Sequence, residues 1–77
     1  MPDRWELIAE VEQLVEDYGA MANHERPPAE LPAARYAIHR VLTSLEESRI
    51  SASLVGAAAE LNAARLTLWR IRRLPDQ

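Results

Sequence analysis

Cysteine, lysine and phenylalanine are all missing from this chain. Without cysteine there is no disulfide and no thiolate zinc site, a composition that fits a reducing compartment. Without lysine, all nine basic residues are arginine. Without phenylalanine, and with two Trp and two Tyr, a core has to come from Leu, Ile, Val and Ala with a few aromatic anchors. Glycine is reduced to Gly19 and Gly56, which excludes a glycine-rich phosphate loop. No apolar run approaches the roughly 20 residues that a membrane helix needs. The N-terminus MPDRWELIAEVEQ carries acids where an export signal carries an apolar run. The expectation is a cytoplasmic protein.

Site chemistry is equally sparse. His24 and His39 stand far apart with no ligand spacing, and no Glu-x-x-His pair occurs. The serines at 44, 48, 51 and 53 have no base and orienter beside them. Glu10, Glu12, Glu16 and Asp17 read as a solvated acidic helix face. No metal, cofactor or catalytic activity is expected.

What is present is enough for one folded unit over residues 1–77. Apolar residues make up 48% of the chain, too much for a disordered segment. A chain this short buries a smaller share of its surface than a larger domain does, and dimerisation is a common remedy, so a homodimer is expected. Charge is divided along the sequence. Residues 1–30 hold two Arg against eight acids, a net −6, and residues 31–77 hold seven Arg against four acids, a net +3. Such a division suits one face for a protein and another for an anion, or two halves that attract each other within the fold.

The pattern is all-α. Apolar residues at Leu7, Ile8, Val11, Leu14, Val15, Tyr18, Met21 and Ala22 recur at spacings of three and four and predict a helix over 3–22. Asp3 and Glu6 supply an acidic capping pattern, and Trp5 and Tyr18 are expected in the core or at its edge. Asn23–Pro32 contains three prolines and reads as a connection. A second helix is expected over 32–49, with Pro32 in its first turn and a stripe of Leu31, Ala34, Ile38, Val41, Leu42 and Leu45. Ser51 or Ser53 would cap whatever follows. Leu7, Val11, Leu14, Tyr18, Ile38 and Leu42 are the candidate dimer or partner interface.

The remaining stretch, 53–74, reads in two ways. With Leu54 as its first residue, a helix-turn-helix would place Ala57 and Ala58 at the close contact and Leu61 at the buried end of its first helix. Asn62 would form the turn, where a residue tolerant of positive φ is wanted. Leu68 and Ile71 would lie inward on the second helix. Ala57-Ala58, Leu61-Asn62, Arg65 and Thr67-Leu68-Trp69-Arg70 resemble the DNA-binding end of the factor-for-inversion-stimulation family. That resemblance implies two longer helices that pair two subunits and a closing helix-turn-helix that grips double-stranded DNA. It implies base or phosphate contacts from Arg65, Thr67 and Arg70, with Arg72 and Arg73 near phosphate, in a transcriptional regulator; Trp69, which faces outward on the same helix, is a further candidate DNA contact. The chain departs from the family at the turn glycine, which is Asn62, and at Ala63, Ala64 and Arg72.

The alternative is a single helix. Leu54, Ala57, Leu61, Ala64, Leu68 and Ile71 keep an unbroken alternation of threes and fours, and alanine is the strongest helix former. Three helices of similar length would make an antiparallel bundle. Trp69 and the arginines would then form an edge for a protein partner.

Overall fold

In a computed structural model that describes residues 3–51 and 53–73, the chain is three α-helices and nothing else regular among those residues: α1 Arg4–Ala22, α2 Leu31–Ser51 and α3 Val55–Arg72. Asp3 starts α1. Its backbone is extended, and its carboxylate Oδ1 accepts the Glu6 N–H at 2.9 Å, satisfying one of the donors a helix start leaves open. The helix continues through Gly19 and closes at Asn23, whose N–H reaches the Gly19 carbonyl. Pro27 and Pro28 then keep the connection non-helical. Pro32 sits in the first turn of α2, where its missing N–H has no intrahelical role.

The entry to α3 differs from expectation. Its cap residue is Leu54, with no side-chain cap hydrogen bond. Ser53 lies one residue earlier, and its Oγ accepts the Val55 N–H at 3.4 Å. The Ser51 side chain, Pro2 and Leu74 lie outside the described residues. In place of a polar cap, Leu54 packs half-buried against the core.

The turn expected at Asn62 is not formed. Helical backbone runs without interruption from Val55 to Arg72, and the Thr67 hydroxyl donates to the Ala63 carbonyl one turn back. The physical reason lies on both sides of the asparagine. Leu61 and Ala64 are both buried in the same core, and a bend between them would lift one away. Asn62 itself is exposed, where asparagine costs a helix only a few tenths of a kcal/mol, at most about 0.7, relative to alanine.

The stripes of three helices meet in one core: Leu7, Val11 and Leu14 from α1, Ala34, Ile38, Val41 and Leu45 from α2, and Ala57, Leu61, Ala64, Leu68 and Ile71 from α3. Neighbouring helices are antiparallel in sequence order. Arg4 at the start of α1 reaches Leu45 and Ser48 near the end of α2, and Asp17 late in α1 meets Arg72 at the end of α3. The alternation of Ala with Leu on α3 lets it lie close to α2, its most extensive neighbour. The result is a rod of 43 × 18 × 16 Å.

Among the described residues the core also has one polar member. Ser48 is buried; its Oγ donates to the Leu45 carbonyl and accepts from the Arg4 guanidinium, each at 2.6 Å. Trp5 was expected in the core or at its edge, yet it is 77% exposed. Leu7 and Val11 on the inner stripe supply the packing, and Trp5 falls on the opposite side of the helix.

Candidate interaction surfaces

Three helices in a bundle create three seams, and side chains treat them differently. Between α2 and α3, the Arg40 guanidinium grips Glu60 with two parallel hydrogen bonds of 3.0 Å. Those bonds, followed by the proximity of Tyr36, push the Arg40 pKa above its ordinary value. The outside of this seam is polar, lined by His39, Thr43, Ser44 and Glu47. Between α1 and α3, Arg65 pairs with Glu10 at 3.2 Å and Arg72 with Asp17 at 3.7 Å. The acidic front of the sequence and its basic rear therefore attract each other within the fold.

The seam between α1 and α2 has no ion pair among the described residues. Its polar links among the described residues are those of Arg4, to Ser48 and to the Leu45 carbonyl, at its end. Along its outside runs an open groove of about 450 Å³. Ile8, Val11 and Val15 of α1 and Leu42 and Leu45 of α2 line it, with Glu12 and Glu16 on the α1 rim.

The residues expected to touch DNA scatter when placed on a straight helix. Arg65 and Arg72 lean towards α1 and are held by its carboxylates. Thr67 is half-buried on the flank with its hydroxyl turned to the backbone. Trp69, Arg70 and Arg73 stay together on the outer face with Leu66, at the spacings of three and four that share a helix face. The Arg73 guanidinium lies over the Trp69 ring at 4.6 Å from its centroid. Trp69 and Leu66 are each about half exposed. This edge was legible from the sequence once α3 is taken as continuous.

The expected dimer interface fares differently. Leu7, Val11, Leu14 and Ile38 are buried in the chain's own core, and Tyr18 packs against it. Only Leu42 is left substantially open. An apolar stripe announces burial without saying against what. The surface that the sequence reading missed is the α1/α2 groove. Its signal is the second apolar line on α1, Ile8 and Val15, beside the main stripe.

Among the described residues no group of three or more His, Asp or Glu is placed to hold a metal ion. No helix among them is long and apolar enough to cross a membrane. Compared with family models, with curated proteins and with solved structures, the chain matches none.

Proposed function

We propose that this chain is a non-enzymatic protein-interaction module whose third helix presents a tryptophan–arginine edge to an acidic partner. The observation that supports it is the uninterrupted α3, which gathers Leu66, Trp69, Arg70 and Arg73 on one outer face. Tryptophan and arginine are the side chains that most often anchor protein interfaces, because one buries a large apolar area and the other makes several directed bonds to carboxylates. Arg73 stacked on Trp69 holds the pair in a shared arrangement before a partner arrives.

A second reading keeps duplex DNA as the ligand of the same arginines. It lacks the turn that would free a recognition helix, and two of its contact residues, Arg65 and Arg72, are engaged by Glu10 and Asp17. Titration calorimetry separates the readings. An amphipathic helical peptide with glutamates beside leucines is titrated into the chain, and random duplex DNA is titrated in parallel at about 50 mM salt. The expected result is binding of the peptide, weakened by roughly 2 kcal/mol or more in Trp69→Ala and also weakened in Arg70→Ala. Binding of duplex DNA that falls steeply with salt, alongside indifference to the peptide, would replace this reading with the DNA one.

A further inference from the structure

Of the three seams, the α1/α2 seam is the one that no ion pair crosses among the described residues. The carboxylates of α1 divide into two sets. Glu10 and Asp17 point to α3 and are paired with Arg65 and Arg72. Glu12 and Glu16 are exposed on the opposite flank, at the lip of the apolar groove, and neither makes an ion pair among the described residues. On α2, Glu46 and Arg49, one turn beyond Leu42 and Leu45, neutralise each other at 3.2 Å. The groove is thus an apolar trough with an acidic α1 lip, its α2 side formed by Leu42 and Leu45, with exposed Arg35 two turns before Leu42 on the same face of α2.

We infer that this groove takes an amphipathic helix from a partner protein, with apolar anchors in the trough and arginine or lysine along the side that meets Glu12 and Glu16. The geometry suits a helix. Ile8 and Val15 lie two turns apart on α1, so the trough follows the α1 and α2 axes. Anchors at the i, i+3, i+4 and i+7 positions of an incoming helix have that spacing. Such a helix would complete a four-helix arrangement and remove Ile8, Val15 and Leu42 from water. An acidic lip favours a cationic helix and repels an acidic one, so recognition here has a defined sign. The surface is separate from the α3 edge, which has the opposite charge and lies on another helix.

The test uses the full chain and two synthetic helical peptides with the same leucine anchors, one flanked by arginines and the other by glutamates. Binding is followed by calorimetry and located by backbone amide chemical shifts. The expected result is that the arginine peptide binds, with shifts concentrated at Ile8, Val15 and Leu42. In Glu12→Arg/Glu16→Arg, two exposed substitutions that leave the core intact, its affinity falls at least tenfold. In Leu42→Ser the affinity also falls while helicity is retained. The glutamate peptide produces its shifts on α3 if the proposed function holds and none in the groove. The inference is overturned by equal groove binding of both peptides, by arginine-peptide shifts on α3, or by no arginine-peptide binding at millimolar concentration. It is also overturned if sedimentation shows a dimer that Glu12→Arg/Glu16→Arg dissociates, because a second copy of the chain would then be the occupant. Failure of the glutamate peptide alone bears on the α3 edge and leaves the groove result standing.

Discussion

The α2/α3 and α1/α2 seams are built from the same kind of helix and end up with opposite characters. Where α2 meets α3, charge is paired across the contact. Arg40 and Glu60 join in a two-bond pair across the outside of the contact, and small residues let the helices lie close. Where α1 meets α2, no charge crosses apart from Arg4 at one end, and apolar side chains continue out to the surface. A charge paired within the chain closes a surface, whereas one left unpaired beside exposed leucine and valine keeps it available. The net charge of −3 says nothing about which carboxylates belong to which set.

Removing a large side chain from the core that all three helices share gives the largest expected effect. Leu61→Ala should cost about 2–5 kcal/mol, a large part of the roughly 4–12 kcal/mol that a domain of this size has. The exposed Leu66→Ala should stay within about 0.5 kcal/mol; denaturant unfolding reads both. Overfilling the contact of α3 comes next. Ala64 has no exposed surface, and Ala64→Leu should cost about 1–3 kcal/mol, measured in the same way. If Ala64→Leu is neutral, the close approach of α3 is wrong. Arg4→Ala removes the one latch of the open seam and should cost about 1.5 kcal/mol, with faster amide hydrogen exchange in the first turns of α1 and the last turns of α2. The ion pair of the closed seam should count for less. Glu60→Gln is expected to lose between about 0 and 1 kcal/mol, since exposed pairs are screened, whereas Glu12→Gln should lose nothing. Equal losses would erase the distinction between the seams.

The smallest effect is the most diagnostic for α3. Asn62→Ala should stabilise the chain by about 0.5 kcal/mol, and Asn62→Gly should destabilise it by a few tenths, because a straight exposed helix follows helix propensity. A left-handed turn at that position would reverse the order. Circular dichroism melts of the two variants decide the matter.

Much of the fold was legible because burial in helices writes itself at spacings of three and four. Leu7, Val11 and Leu14, and later Leu61, Ala64, Leu68 and Ile71, mark their inner faces directly. Asn62 was ambiguous for a physical reason. Tolerance of positive φ is a permission, and the residue is equally content on the water side of a helix; the burial of Leu61 and Ala64 in one core made the choice. The seams were not legible. Glu10 and Arg65 are 55 positions apart, and only the register of packed helices decides that they meet while Glu12 does not. Arg4 was overlooked because its partner is an ordinary serine on α2 that becomes buried only when α1 closes over it.

Both tryptophans lie on the outside of the bundle, Trp5 on the α1 flank that carries Glu12 and Glu16, and Trp69 on the outer edge of α3. An indole already in contact with water sees little change when the chain unfolds. Intrinsic emission should therefore be nearly blind to the folding transition that circular dichroism follows. The same placement makes each ring an optical sentinel for one surface. In Trp69→Phe the remaining signal belongs to the neighbourhood of the groove, and in Trp5→Phe to the α3 edge. A blue shift in one variant and not in the other would say which side of the rod has been covered, with no label attached.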